Sequence, residues 1–298
     1  MSRRCWRASN STWTSRNLRA QVRSWTRANV NVVSFSDEVE FGVFVKKDYL
    51  QRIGYEGSGI PNLQTLAELQ WLHLCSLPYD TGYILHQPYE DFDMPRVFEA
   101  VMKRGGVCFE LNFLFHRLLV EMGFDAHVNS ASTALPGGQW GSEIEHMAVR
   151  VRIDDVDWLV DVGHGSVAIT EPLRIDEQAG SVVQMGTEFR LATRGEWRVL
   201  QYKPKGRDWR DAYRMKIKDR AISDWNTWRE ELPPDADPVV PRKRRRGVEN
   251  GQVTLVANLF RSIIGGEETV KHVRDEAELI EIMTTYWGES APIVGYER

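Results

Sequence analysis

The sequence contains few cysteines and no long apolar run. Cys5, Cys75 and Cys108 are the only cysteines among 298 residues, and none lies close to another. An odd number of cysteines without a CxxC pair argues against a disulfide framework or a zinc site and is typical of a reducing compartment. No apolar stretch approaches the roughly 20 residues that a membrane-spanning helix needs. We therefore predict a cytoplasmic protein with no metal site and no membrane partner.

Acidic residues are absent from the first 36 positions, which carry seven arginines and many serines and threonines. This composition is similar to that of an organellar transit peptide, although it lacks the apolar centre of a secretory signal. A disordered extension or an upstream start codon gives the same pattern. We interpret residues 1–36 as a basic, disordered extension. The formal net charge of the whole chain, −4, disfavours a nucleic-acid-binding protein.

Hydrophobic spacing divides the next part of the chain into two regions. Helical spacing that stops at Gly123 predicts a helical bundle over residues 37–125. A capping box formed by Thr65 and Glu68 marks the expected start of its second helix. Alternating apolar residues then predict an all-β region over residues 126–218. The fold class is therefore α+β.

The C-terminal unit, residues 248–298, is predicted from its turn and capping residues. Strands are expected near Val253–Phe260 and Thr269–Val273, separated by a Gly-Gly pair. A closing helix is expected between Asp275 as N-cap and Gly288 as stop signal. The unit therefore combines a small sheet with one helix.

Cys108 follows two glycines at the start of an apolar helix. The segment Arg104–Asn112 reads Arg-Gly-Gly-Val-Cys-Phe-Glu-Leu-Asn, and helical spacing continues to Met122. A cysteine in the first turn of a helix lies near unpaired N–H groups and the positive end of the helix dipole, which favour the thiolate. Cys108 is therefore a candidate nucleophile. The alternative is a small buried core residue, as most unpaired cysteines are.

A predicted hairpin brings a histidine and an aspartate onto one face. Apolar residues alternate on both sides of an Asp-Asp pair, and a two-residue turn there pairs Val149 with Val160. His146 and Asp161 are then diagonal neighbours, about 7 to 8 Å apart at the backbone and within reach of a hydrogen bond. A satisfied polar pair inside a barrel gives the same pattern. With Cys108, however, the set comprises a nucleophile, a base and an orienting carboxylate.

These residues lie in motifs that closely resemble those of the arylamine N-acetyltransferase family. The motifs follow the family's order and spacing over residues 40–290: Tyr49–Gly54, Leu77–Tyr79, Arg104–Asn112, His146–Met147 and Val160–Gly165. The resemblance implies a helical bundle, a β-barrel and an α/β lid around a cysteine-proteinase-like catalytic core. It also implies a triad of Cys108, His146 and Asp161 at the junction of the bundle and the barrel.

The resemblance further implies a reaction and its ligands. In a ping-pong mechanism the thiolate takes acetyl from acetyl-CoA, CoA leaves, and an aromatic amine or hydrazine attacks the acetyl-cysteine. Backbone N–H groups at the glycine-rich helix start are candidates to hold the oxyanion. Gly163, Gly165 and Ser166, in the turn after Asp161, are the expected contacts of the CoA pyrophosphate.

Several residues depart from the family pattern. The family usually has Phe at His164 and an aromatic residue at Val107, two positions expected to border the acceptor pocket. The Asp80-Thr81 pair replaces the usual Glu-Asn, and a Thr-Ser-rich run ahead of the lid is missing. An amide synthase or N-acyltransferase that uses another donor, such as malonyl-CoA, therefore stays open. A Cys-His-Asp hydrolase, a transglutaminase-like enzyme and a binding module without activity are further alternatives.

Residues 219–247 are predicted to form an interdomain helix and a basic linker. A helical pattern covers Asp219–Glu231, and the run Arg242–Arg246 consists entirely of lysine and arginine. We expect the run to be a solvated linker. Contact with CoA phosphates is the second interpretation, and a nuclear-import or nucleic-acid patch is the third.

Overall fold

The computed structural model describes residues 44–82, 94–176, 179–227 and 242–288. Within these ranges the chain forms five α-helices and thirteen β-strands, all within one compact unit. The helices are α1 (Lys46–Ile53), α2 (Leu63–Ser76), α3 (Met94–Arg104), α4 (Cys108–Glu121) and α5 (Glu276–Trp287). The strands are β1 (Tyr79–Asp80), β2 (Asp125–Thr133), β3 (His146–Ile153), β4 (Val156–Val160), β5 (Leu173–Arg174), β6 (Val182–Gln184), β7 (Thr187–Arg194), β8 (Trp197–Lys203), β9 (Arg210–Asp219), β10 (Lys243–Val248), β11 (Gly251–Val256), β12 (Leu259–Ile264) and β13 (Glu267–His272). The predicted extension over residues 1–36 lies outside the described residues.

The N-terminal helices bury their apolar faces together, as the sequence periodicity predicts. Helix α1 ends at Gly54, which adopts a left-handed conformation with φ of 74°. Helix α2 begins at Asn62, whose side chain accepts a hydrogen bond from the Thr65 N–H at 2.9 Å. The predicted capping box at Thr65 is therefore wrong, because an Asx cap three residues earlier already satisfies that N–H. The buried apolar residues include Leu66, Leu69, Leu111, Leu114, Phe115 and Leu118.

The β-region is one antiparallel sheet of eight strands in the order β5-β4-β3-β2-β9-β8-β7-β6. Among the described residues the two end strands pair with one neighbour each, so the sheet forms a half-barrel where we predicted a β-barrel. Both end strands are short, with two and three residues, which limits the pairing that closure would need. The concave core contains Ala148, Leu159, Phe189, Leu200, Tyr213 and Met215.

The predicted hairpin is confirmed as β3 and β4. Val149 pairs with Val160, as the two-residue turn requires. Asp154 and Asp155 have φ of 50° and 58°, which is the left-handed pair of a type I′ turn. The turn therefore sets the register that places His146 and the residue after β4 on neighbouring positions.

The second sheet has the order β1-β10-β11-β12-β13 and shares an apolar core with α5. Asp275 caps α5 by accepting from the Glu278 N–H, and Gly288 ends it, both as predicted. The strand predicted over Val253–Phe260 is in fact two strands, because the chain turns at Ala257, which has φ of 47°. No helix among the described residues is long and apolar enough to cross a membrane.

The basic run Arg242–Arg246 lies mainly in a strand, so the prediction of a solvated linker is wrong there. Strand β10 pairs with β1 on one side and β11 on the other. Buried Asp80 pairs with Arg242 at 2.8 Å and with Arg244 at 2.9 Å. Arg246 donates to the Cys75 carbonyl at 2.6 Å. Cations can be buried where they are paired and hydrogen-bonded, so much of this charge serves internal contacts.

The helix predicted over Asp219–Glu231 is also corrected. Strand β9 runs as far as Asp219, and a short 3₁₀ helix over Ile222–Thr227 follows it. Trp225 in that helix is fully buried. Asp219 pairs with Asn129 of β2, and this strand pairing explains why this end of the segment is a strand. Residues 228–241 lie outside the described residues.

Candidate active site

Cys108 is the first residue of α4, directly after Val107 in extended conformation. Its Sγ lies 3.4 Å from the Glu145 carbonyl oxygen, to which the thiol can donate. The thiol is partly buried, between the helix start and the residue that precedes β3. The structure therefore places the thiol where the sequence predicts it, next to the histidine at the start of β3.

His146 and Asp161 form a buried pair. His146 Nε2 donates to Asp161 Oδ2 at 2.7 Å, and both side chains are 1% exposed. Burial would lower the pKa of His146, but the Asp161 charge, the Asp161 hydrogen bond and interactions with Cys108 outweigh burial and raise the pKa to about 10. Burial would raise the pKa of Asp161, but the His146 charge and hydrogen bonds hold it below its usual value. The pair therefore favours an imidazolium beside an ionised carboxylate.

Asn112 and Gly163 hold the second oxygen of Asp161. Asn112 Nδ2 donates to Asp161 Oδ1 at 2.9 Å, and the Gly163 N–H donates to the same oxygen at 2.8 Å. Asn112 also donates to the Met147 carbonyl oxygen and accepts from the Val162 N–H. Sequence reasoning did not assign this role to Asn112. The available signal was its spacing, one helical turn after Cys108 and on the same helix face.

Comparison with known proteins identifies the scaffold. A family model described as N-acetyltransferase matches residues 62–289. The chain belongs to the arylamine N-acetyltransferase family. Proansamycin X synthase of Amycolatopsis mediterranei is 34% identical to it over 250 residues, covering 79% of this chain and 94% of that protein.

Two further relatives agree with this family. Arylamine N-acetyltransferase of Escherichia coli is 27% identical over 247 residues, covering 80% of this chain and 87% of that protein. The structure of Mycobacterium marinum arylamine N-acetyltransferase in complex with CoA matches with a TM-score of 0.72 at 22% identity. The match covers 82% of this chain and 92% of that chain, which shows the same fold. The protein is therefore a transferase with an arylamine N-acetyltransferase fold.

Gly106 joins the start of α4 to β1 and to the residue before it. The Gly106 N–H donates to the Pro78 carbonyl oxygen at 3.1 Å, and the Gly106 carbonyl oxygen accepts from the Asp80 N–H at 2.9 Å. The Val107 N–H donates to Glu110 Oε2 at 2.8 Å. Of the N–H groups at the helix start, those of Gly106 and Val107 are therefore engaged within the protein and are not available to an oxyanion.

Gly105→Ala is expected to destabilise this acetyltransferase by about 3 kcal/mol. Gly105 has φ of 80°, and a Cβ at this position would collide with the Pro78 carbonyl oxygen. Chemical unfolding of the full chain measures the loss. Gly137→Ala is the matched control, because Gly137 has φ of 76° but open space around its Cβ position. We expect the control to lose about 1 kcal/mol of stability. Equal losses of stability in the two variants would contradict a role for the collision with Pro78.

His164 lies against the histidine of the pair. Its ring is 5.5 Å from the His146 ring, centre to centre, and 5.3 Å from the Tyr213 ring. His164 Nδ1 donates to the Val167 carbonyl oxygen at 3.0 Å. Burial and the nearby His146 charge lower the pKa of His164 to about 3, so its imidazole is neutral. This arrangement leaves Nε2 as an unprotonated acceptor beside the active site.

Three other predicted site residues have different surroundings. A Cβ on Gly163 would lie 2.5 Å from the Cys108 carbonyl oxygen, so the glycine is needed where this turn packs on α4. Gly165 lies against the Tyr79 ring, and both Gly165 and Ser166 are partly exposed. Since the Gly163 N–H already donates to Asp161, a phosphate contact from this turn would come from the two later residues.

Proposed function

We propose that the protein transfers an acetyl group from acetyl-CoA to the nitrogen of an aromatic amine or hydrazine, by a ping-pong mechanism through an acetyl-cysteine on Cys108. One observation carries the proposal: Cys108 lies beside His146, whose other ring nitrogen is held by buried Asp161. The site therefore provides a nucleophile, a base beside it and a carboxylate that orients the base. Membership in the arylamine N-acetyltransferase family supports this choice of reaction.

In the first half-reaction the Cys108 thiolate attacks the thioester carbonyl carbon. A carbon–sulfur bond to Cys108 forms, the bond to the CoA sulfur breaks, and the His146 imidazolium supplies the proton that CoA takes away. We assign the Cys108 N–H, at the start of α4, to the oxyanion, because the Gly106 and Val107 N–H groups are engaged. CoA phosphates are assigned to the turn at Gly165 and Ser166.

In the second half-reaction the acceptor nitrogen attacks the acetyl carbonyl carbon. Neutral His146 takes the proton from nitrogen, the bond to Cys108 breaks, and the thiolate–imidazolium pair is restored. Asp161 keeps the Nε2 proton on His146, so that the other ring nitrogen faces the reacting atoms. His164 and Val107 are assigned to the border of the acceptor pocket, since His164 packs beside His146.

Mass spectrometry of the intact protein tests this mechanism. The purified chain is incubated with acetyl-CoA alone, and we expect one acetyl group per protein with release of one equivalent of CoA. Addition of an aromatic amine or hydrazine then removes the acetyl group and yields the acetylated acceptor. Absence of both the adduct and amine-dependent CoA release would contradict the proposal.

A second candidate is an amide synthase on the same scaffold, which uses another acyl donor. The observation that favours it is the identity to proansamycin X synthase, 34% over 94% of that protein, which exceeds the 27% identity to the Escherichia coli enzyme. The neutral, buried His164 beside His146 fits a changed acceptor pocket. The same assay with malonyl-CoA and with longer acyl thioesters separates the two candidates. An amide synthase is expected to form an adduct with one of these donors and none with acetyl-CoA.

A further inference from the structure

The peptide unit between Val162 and Gly163 contacts the triad from one end and a distant strand from the other. Its N–H donates to Asp161 Oδ1 at 2.8 Å. Its carbonyl oxygen accepts from Arg245 Nη2 at 2.9 Å. The guanidinium and the carboxylate are therefore bonded to opposite ends of one rigid peptide dipole, in the orientation that each of them favours.

Arg245 reaches this peptide from β10, far from the triad in sequence. Strand β10 pairs with β1, and Arg245 stands opposite Tyr79 in that register. The side chain is fully buried. Burial lowers the pKa of Arg245 to about 10, and the Asp161 charge opposes that effect, so the guanidinium stays protonated at neutral pH. A buried cation thus lies on the far side of the peptide that serves Asp161.

The groups that interact electrostatically with Arg245 come from several elements. They are Asp161, Tyr79, Cys75, His73 and His164. Tyr79 and Cys75 are neutral at pH 7, because burial raises the pKa of both, that of Cys75 to about 12. His73 and His164 are neutral because burial lowers their pKa. Asp161 is therefore the charged member of this set, and the charge of Arg245 acts mainly on it.

We propose that Arg245 is a positioning residue for the triad, which orients the Val162–Gly163 peptide and through it fixes the carboxylate of Asp161. The relay runs from guanidinium to peptide to carboxylate, then to His146 and the thiol. It makes the chemistry of Cys108 depend on the second sheet, which holds β10 in place. The proposal rests on the function assigned above for the role of the triad.

Loss of the relay has a defined direction. Without the guanidinium the Val162–Gly163 peptide is held less firmly, so its N–H orients the Asp161 carboxylate less well. The carboxylate then stabilises the His146 imidazolium less. The thiolate–imidazolium pair therefore forms at higher pH. Small displacements of catalytic groups also slow the reaction sharply.

The test compares Arg245→Gln with Arg245→Lys and with Arg246→Gln in the full chain. Arg246 is the matched control, because it follows Arg245 on β10 but donates to the Cys75 and Tyr286 carbonyl oxygens, away from the triad. Alkylation of Cys108 by iodoacetamide is measured against pH, and near-UV circular dichroism reports folding. Alkylation needs no acyl donor, so its result does not depend on whether the proposed acetyl transfer is correct.

For Arg245→Gln we expect a midpoint of alkylation about one pH unit higher and a kcat about 10-fold lower, with both nearly unchanged in Arg246→Gln. Arg245→Lys keeps the charge and one donor and is expected to recover most of the midpoint shift. An unmoved midpoint in folded Arg245→Gln would overturn the proposal. If that variant does not fold, Arg245→Met takes its place, because it also removes the charge and the donor, and an unmoved midpoint in folded Arg245→Met would overturn the proposal. Failure of the acetyl-adduct assay in the unaltered protein would overturn the proposed function but not the alkylation result.

Discussion

Cys108→Ser is expected to abolish the acetyl adduct and to lower amine acetylation by about 10⁴-fold or more. A serine hydroxyl at the start of α4 keeps the geometry, but it is not ionised beside His146 at neutral pH. The thiolate–imidazolium pair, which the raised pKa of His146 reflects, is then lost. The measurement is intact mass after incubation with acetyl-CoA, together with steady-state release of CoA in the presence of an aromatic amine.

Cys75→Ser is the control for this prediction. Cys75 is the other described cysteine, and burial raises the pKa of its thiol to about 12, which makes it unreactive at neutral pH. We expect Cys75→Ser to keep the single adduct and the turnover. An adduct that persists in Cys108→Ser but disappears in Cys75→Ser would show that the nucleophile is Cys75 on α2 and not Cys108 on α4.

The His146–Asp161 pair was predictable because its geometry is local. An Asp-Asp turn and strand alternation determine the register of the β3–β4 hairpin, and the register alone places the two side chains on one face. The location of Cys108 at a helix start follows in the same way from two glycines and an apolar period. These signals all lie within one or two adjacent elements.

The surroundings of the pair were not predictable in this way. Five consecutive basic residues are typical of a solvated linker, and the partners that make their burial favourable are distant in sequence, such as Asp80, opposite Arg244 on β1. The role of Arg245 depends on the same strand pairing, which no local pattern encodes. The half-barrel likewise depends on which strands find a partner across the sheet. Sequence periodicity predicts the individual strands and helices, but the pairing of strands distant in sequence determines which residues surround the triad.

Asp161→Asn is expected to lower acetyl transfer by about 10³-fold while the protein stays folded. Asp161 Oδ1 accepts from Asn112 and Gly163, so the amide oxygen of asparagine takes that position. The amide NH₂ then faces His146 Nε2, where it cannot accept the proton that Asp161 Oδ2 accepts now. His146 is driven to the tautomer with its proton on the nitrogen that should face the thiol, and it can no longer act as base.

The same substitution changes the pH dependence in a fixed direction. The Asp161 charge is what keeps the pKa of His146 near 10 against the effect of burial, so its removal lowers that pKa and moves the onset of Cys108 alkylation to higher pH. Asp157→Asn is the matched control. Asp157 lies near the start of β4, and its carboxylate bonds to Arg150 and Arg152 and not to the triad. If folded Asp161→Asn kept more than about a tenth of the activity of the Asp157→Asn control, the carboxylate would not serve the triad as the tautomer argument requires.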